Sequence, residues 1–365
     1  MKIYINQIVF RIPGASNFEE LRSLLEKGDT PFELEEGKWV GRLNAFETKF
    51  DIPAERKEFE RLDPTAQLAV NLAKQLDEQP EALILGSARG ATSTWEKEHA
   101  QFIQNKRIHL LTSPSTTLGN IAFNAARLAG FKTTSLSQSM TCSSGLNAVI
   151  DVVRRIKSDE VLRGVAGGVE CPVTPFTIAQ FESLKLLTEE GKPFPSRPLS
   201  AKTKNQLILS ESGALVSISS VPSEIEIIGY GESWAKPVHG LSFATDAMKS
   251  SMSKALKMAN TSNIDVVLAH APGTVQGDDE EMKAIHEVLG KDVFVLPTKW
   301  ITGHSLGASG NVSIVLAKHI FDEGVIQIPY AHNGERVKRE VETILINATG
   351  FGGNAATVIL RRRAY

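Results

Sequence analysis

Ser135 to Ile156, SLSQSMTCSSGLNAVIDVVRRI, decides the fold: a short extended run ends at a cysteine, and small residues then open a helix of apolar period. Leu146, Val149, Ile150, Val153 and Ile156 recur at helical spacing, which predicts a helix fixed in a core. Cys142 stands at the junction. The first turn of a helix carries backbone N–H groups without intrahelical partners and about half a positive charge of macrodipole, so a thiol there is expected to be stabilised as thiolate. Cys142 is therefore a candidate nucleophile, with Ser143, Ser144 and Gly145 keeping its surroundings free of bulk. The plainer alternative is a small buried hydrophobe, as many intracellular free cysteines are.

The rest of the chain must supply what such a helix packs against. It has 365 residues, 42% hydrophobic and 22% charged, enough for two fused halves with large cores. A formal net charge of −2 gives no sign of nucleic-acid binding over the whole surface. The two cysteines, Cys142 and Cys171, lack metal-type spacing; a disulfide between them is open, but such sparse usage suits a reducing cytoplasm. MKIYINQIVFRIPG alternates like a strand and lacks the apolar region of a signal peptide. No run approaches about 18 apolar residues, so no membrane span is expected.

Outward from Cys142, the chain repeats itself. Lys2 to Ile12 reads as a strand, Asn17 to Lys27 as a helix closed by Gly28, and Glu33 to Glu60 as a loop or excursion. Asp63-Pro64 caps a helix, ALIL is a strand, and Ala91 to Lys106 is helical. After the Cys142 helix, Val161 to Val169 is a glycine-rich strand, Pro172 to Pro198 a long connection, and Leu215 to Ser219 a strand. A second series then runs through strand IEIIGYG, helix Phe243 to Ala259, strand IDVVLAH, helix Asp279 to Leu289, strand VFVLPTK, a helix from Ser305 and a terminal hairpin. The shared order predicts two similar α/β halves, residues 1–219 with the cysteine and 220–365 after it, each burying a small-residue helix between sheets.

Of eight histidines, two end strands in loops rich in small residues: His270, closing IDVVLAH, and His304, in TKWITGHSLGASG. With a thiol elsewhere in the chain, they are candidate acid–base or oxyanion groups. The glycines of NATGFGGN, Asn347 to Asn354, allow backbone N–H groups to converge as an oxyanion hole requires. GHSLG, Gly303 to Gly307, also matches the G-x-S-x-G elbow of an α/β-hydrolase with Ser305 as nucleophile. That fold needs an acid and then a histidine afterwards, and Asp322 and His332 stand too close together for separate strand-end loops.

In order along the chain, TSPSTTLGNIAFNAARLAG, MTCSSGLNAV, GGVECPVTPF, HAPGTVQGDDEEMKAI, TKWITGHSLGASGN and TGFGGNAATVIL resemble the β-ketoacyl-[acyl-carrier-protein] synthases of the elongating, Cys-His-His type. RLDPTAQLA is similar to that family's early helix. The resemblance implies an α/β thiolase-like fold, two pseudo-symmetric halves in five αβαβα layers. It implies that Cys142 accepts an acyl group, that His270 and His304 stabilise the enolate left when a malonyl thioester loses CO2, and that Lys299 holds their charge and geometry. Asp278 and Glu281 match supporting acidic positions, with Glu281 expected to orient Lys299 or a water. Phe351 matches the residue whose amide joins that of Cys142 in the oxyanion hole and whose ring gates the acyl pocket. A thiolase would place a second cysteine near the C-terminus, and an initiating synthase would carry Asn at His304.

By the same resemblance, the partner is an acyl carrier protein whose phosphopantetheine brings the substrate, and no cofactor or metal is expected. A cytoplasmic homodimer is expected, or a heterodimer with a related subunit. A non-catalytic, chain-length-factor-type subunit is the alternative, although such subunits typically lose the cysteine. Departures from the family pattern bear on the substrate. HAPGT replaces H-G-T-G-T, the stretch RPLSAKTKNQLILSESGALV is degenerate, and the region before Arg61 is unlike the family, so a polyene or polyketide pathway stands beside fatty acid synthesis.

Overall fold

A computed structural model describes the chain except residues 46, 201–202, 236–244, 325–327, 331–339 and 364–365. The first half runs β1 (Tyr4–Arg11), α1 (Phe18–Lys27), β2 (Glu33–Glu35), β3 (Lys38–Gly41), α2 (Pro53–Phe59), α3 (Pro64–Ala73), β4 (Ala82–Gly86), α4 (Thr92–Asn105), α5 (Thr112–Thr116), α6 (Asn120–Leu128), β5 (Thr134–Gln138), α7 (Ser144–Lys157), β6 (Arg163–Glu170), α8 (Pro175–Ser183), β7 (Leu209–Ser210) and β8 (Ser212–Ser219). The second runs β9 (Ile225–Trp234), α9 (Thr245–Ala259), β10 (Val266–Ala269), α10 (Val275–Leu289), β11 (Phe294–Pro297), α11 (Lys299–Thr302), α12 (Ser309–Glu323), β12 (Thr343–Gly350) and β13 (Asn354–Arg362).

Ten strands form one sheet in the order β11-β10-β12-β13-β9-β1-β8-β6-β4-β5. Each run of five repeats the other: with strands lettered a to e in chain order, both read c-b-d-e-a. In both, b pairs parallel with c and d, while e pairs antiparallel with d and a. β1 joins the runs by pairing Tyr4 with Glu226 and Ile5 with Ile225.

Alternation along the strands sets the layers. In β4, Ile84 joins the central core, while Leu83 and Leu85 face α3 and α6 on the other side. In the second run, Val266 and Leu268 face the centre, while Val267 and Ala269 face the cluster of α9 and α10. Between the runs lie α7, touching β4, β6 and β13, and α12, touching β6, β8 and β12. The result is five layers, αβαβα, the thiolase-like arrangement. α12 is buried around most of its circumference because both its faces are covered, while α7 keeps Asp151, Arg154, Arg155 and Lys157 on an open side; each buried Ile, Leu or Val contributes about 1.5–3 kcal/mol.

Several sequence expectations change. Glu33 to Glu60 is not a loop throughout: β2 and β3 form a small sheet with β7, held where Arg42 forks onto Glu35 and also bonds Glu211 and the Val173 carbonyl. The Pro172–Pro198 connection contains α8, whose Thr174 side chain caps the Thr177 N–H with Pro175 in the first turn. α10 begins four residues earlier than expected, at Val275, which places Asp278 and Glu281 in its first two turns. The start assigned to α9, together with His239 and His332, lies outside the described residues.

Candidate active site

The nucleophile turn is built by close backbone approach. A Cβ on Gly86 would lie 2.3 Å from the Ser144 carbonyl carbon, so only glycine lets β4 pass under the start of α7. Ser144 Oγ accepts from the Met140 N–H at 2.8 Å, closing the turn around Cys142. Thr141, just before the cysteine, is held at φ 51°, a left-handed conformation that costs a non-glycine residue about 1 kcal/mol or more. The other two site loops share this feature: Ala271 beside His270 has φ 28°, and Leu306 beyond His304 has φ 39°. The strain is tolerated because each turn is fastened from several directions.

The fastening of the first turn crosses the whole chain. Asn354, opening β13, accepts from Ser143 Oγ at 2.7 Å and donates to Thr141 Oγ1 at 3.3 Å. This amide brings the Phe351 loop against the cysteine. At the His270 turn, Glu281 accepts from the N–H groups of His270 and Ala271 at 2.8 and 2.7 Å. Asp278 accepts from Leu199, Gly273 and Thr274, tying the 197–199 stretch to the same turn. Lys299 donates to the His270 carbonyl, and the Glu281 charge acts on it through space.

These turns bring three remote residues together. The Cys142 sulfur and one ring nitrogen each of His270 and His304 lie within 4.8 Å of one another, all buried. The two rings stand edge to face, centroids 5.2 Å apart. They line a cavity of about 230 Å³ with Phe351, Thr349, Gly350, Leu207 and Pro272. Phe351 is half exposed at its mouth, its ring 6.5 Å from that of Phe181. A larger groove of about 1250 Å³, bordered by α2, α4, α5 and α6, contains none of the three.

Burial governs the protonation of the site. It pushes both imidazoles well below their ordinary range, helped by the Lys299 charge, so both are neutral at pH 7. His304 Nδ1 lies 3.0 Å from Ser309 Oγ; when Ser309 donates, Nε2 carries the proton and is left as a donor. Burial brings Lys299 down to about 8. The thiol contradicts the sequence expectation: burial, seconded by the Glu170 charge, pushes Cys142 up to about 12, against the opposing pull of Lys299. Val40, Val173, Phe181, Leu207, Leu209 and Leu306 enclose it, and removing water outweighs the helix dipole. The structure gives both cysteines as free, so the open disulfide does not form.

Neutral donors around a buried sulfur suit chemistry in which charge develops on a substrate oxygen. The same three atoms could also hold a soft metal ion such as Zn²⁺. The hydrolase alternative gains nothing: Ser305 Oγ is buried without a hydrogen-bond partner, and Asp322 pairs with Lys318. Two fastening residues escaped the sequence analysis, Asn354 and Glu170. Each lay inside a quoted motif, but only the fold shows what it holds.

The description "Beta-ketoacyl synthase, N-terminal domain" matches residues 8–220, and "Beta-ketoacyl synthase, C-terminal domain" matches residues 226–332. The chain belongs to the β-ketoacyl synthase family. Its relatives include the granaticin polyketide putative beta-ketoacyl synthase 1 of Streptomyces violaceoruber, 27% identical over 99% of this chain and 98% of the relative. The 3-oxoacyl-[acyl-carrier-protein] synthase 2 of Vibrio cholerae is 28% identical over 76% of this chain and 75% of its own length. Among solved structures, the ishigamide ketosynthase/chain length factor superposes with TM-score 0.88 at 19% identity, covering 100% of this chain and 99% of that one. A β-ketoacyl synthase from Burkholderia phymatum does so with TM-score 0.86 at 19% identity, covering 100% of both chains. These likenesses establish the ketosynthase fold across the full chain. No described helix is long and apolar enough to cross a membrane.

Proposed function

We propose that this chain is a condensing β-ketoacyl-[acyl-carrier-protein] synthase. The observation that carries the reading is the buried meeting of Cys142 with two neutral histidines at the Phe351 loop. In the first half-reaction the Cys142 sulfur attacks a carrier-bound acyl thioester. A new carbon–sulfur bond forms, the carrier's breaks, and the thiol proton passes to the departing carrier sulfur. In the second, a malonyl thioester loses CO2, and the bonding pair moves into an enolate whose oxygen meets the Nε2–H groups of His270 and His304. The enolate carbon attacks the acyl carbon, the Cys142 sulfur leaves, and one proton taken up restores the thiol. Lys299 holds the His270 carbonyl, and the Phe351 amide joins that of Cys142 on the tetrahedral oxygen.

The substrate arm is the phosphopantetheine of an acyl carrier protein, and the reaction draws on no other cofactor. A polyketide ketosynthase of this fold has been solved with its acyl carrier protein and a bound hexaketide, which supports that partner here. Trp95, Phe102, Ile103, Leu110, Phe123 and Leu136 are exposed along α4, the segment after it, α6 and the edge strand β5. So long an apolar face beside an open strand edge favours a dimer. A cytoplasmic setting fits the two buried free thiols.

The second reading is a non-catalytic partner subunit. It is favoured by the likeness to the ishigamide ketosynthase/chain length factor and to a ketosynthase solved with its chain length factor from Xenorhabdus doucetiae. One experiment separates the two. Intact-mass spectrometry after mixing with an acyl carrier thioester should find an acyl adduct on Cys142, and malonyl carrier should then convert it to a 3-oxoacyl product. No adduct, with or without a co-expressed related subunit, would favour the inert partner.

A further inference from the structure

Glu170, the last residue of β6, is fully buried at the contact between the two halves. Its Oε1 accepts from Ser87 Oγ and the Arg89 N–H, both at 2.9 Å. Its Oε2 accepts from the Ala88 N–H at 2.6 Å and from the Gly307 N–H at 3.0 Å. The first three donors follow β4 and flank the nucleophile turn; the fourth lies three residues after His304. The backbone of His304 itself is tied to Ile208 and Ser210 by bonds of 2.7 and 3.1 Å, while the Gly307 N–H, three residues on, is held by the Glu170 carboxylate. Glycine is required on the facing side: a Cβ on Gly307 would fall 2.6 Å from the Ala88 nitrogen and 2.7 Å from Glu170 Oε2.

We propose that Glu170 is a positioning residue for the condensing site: its carboxylate fastens the His304 loop to the turn beneath Cys142 and sets a negative charge facing the thiol. The proposal rests on the condensing reading above for its catalytic consequence, while the fastening itself does not depend on it. Four donors converge on two oxygens, so only the ionised acid satisfies all four. A protonated acid or an amide turns one position into a donor, and one N–H of the clasp loses its partner. Burial brings the carboxyl up to about 7, against the pull of those N–H groups, so this loss falls within the working range of pH.

The groups around it limit what else could produce the effect. From the turn before α7 the titratable neighbour is Cys142, and on its own segment it is Cys171; the Glu170 charge raises both. Arg89 offers Glu170 its backbone N–H, while its guanidinium turns away to Thr177 and Gln180. From the His304 loop, the contact is the Gly307 amide. Removing the charge therefore acts on two readouts in opposite directions. Cys142 becomes easier to ionise, while the His304 loop loses one of its anchors, the bond at Gly307.

The test compares wild type with E170Q and E170D in the full chain. Iodoacetamide should label Cys142 of E170Q faster at pH 8, by roughly threefold or more, equivalent to about half a pKa unit. Condensation by the same variant should fall by roughly tenfold or more, the range for a lost positioning contact, with E170D recovering part of it. A fold defect alone would slow condensation without a selective gain in Cys142 over Cys171 labelling, and that result, or no change in either rate, would overturn the proposal. Labelling needs no acyl carrier, so it judges Glu170 even if wild type proves inert in condensation, an outcome that would sink only the parent reading. If E170Q does not fold, the pH profile of Asp278→Asn, which removes the other carboxyl brought to about 7, decides: condensation should still decline as pH falls through about 7, and a flat profile from pH 8 to 5.5 overturns the proposal.

Discussion

The thiol of Cys142 should behave unlike that of most cysteine enzymes, and the structure sets the size of the difference. Burial first, and the facing Glu170 charge second, take it from 9.0 to about 12. Three units are a thousandfold, or about 4 kcal/mol against the thiolate. At pH 7.5 roughly three molecules in 100,000 would be ionised, where an unshifted thiol would show roughly three in a hundred. Alkylation by iodoacetamide, followed by mass spectrometry of the Cys142 peptide, should therefore rise about tenfold per pH unit from pH 7 to at least 10. Replacing Lys299 with Met removes a cation that opposes the shift and should slow labelling further below about pH 8, where Lys299 is charged. A plateau below pH 9 in wild type would refute the reasoning, because it would mean that the helix terminus or a protonated histidine holds a thiolate despite the apolar enclosure.

Asp278 is raised by burial to about 7, so between roughly pH 4 and 7 the folded chain binds more protons than the unfolded one and stability falls as pH rises; Asp278→Asn should flatten part of that slope in thermal melts, and an unchanged slope would count against it. Asn354→Ala should cut acyl transfer to Cys142 by about tenfold by releasing both the Thr141 and Ser143 bonds, with only a modest loss of stability, about 1–3 kcal/mol by denaturant titration. Gly86→Ala forces a methyl group to within 2.3 Å of the Ser144 carbonyl carbon and should destabilise by at least 1–3 kcal/mol, since backbone cannot yield as a side chain does. Micromolar Zn²⁺ should inhibit by occupying the Cys142, His270 and His304 donors, with chelation restoring activity and an intact-mass acyl adduct failing to form while the ion is present.

What the chain discloses by its order of residues is uneven, and the reasons are local. Asp63-Pro64 and Asn17 with Gly28 announced their helices because cap and stop chemistry lies within a few residues. The same chemistry at Thr174-Pro175 was hidden among other prolines, so α8 read as a connection. β2 and β3 exist because β7, more than 160 residues later, pairs with β3, and nothing nearby in sequence reports that partner. Cys142, His270 and His304 were legible as types in suggestive settings, while their meeting depends on crossing strands. The protonation of Cys142 was misjudged for a related reason: the helix terminus is a neighbour in sequence, whereas the residues that exclude water, from Val40 to Leu306, are neighbours only in space. Glu170 and Asn354 were invisible as fasteners because their donors come from the opposite half.

The place of β1 in the sheet bears on how the chain is made. It lies between β8 and β9, strands that leave the ribosome some 200 residues after it; at about 5–20 residues per second that delay is roughly 10–40 s. Throughout it, the segment YINQIVFR has two unpaired edges and apolar side chains, the composition that favours association with neighbouring chains. Synthesis thus leaves both the first strand and the nucleophile turn waiting for partners made late, the turn for Gly307 and Asn354, and of the two it is the strand that offers open backbone edges to neighbouring chains.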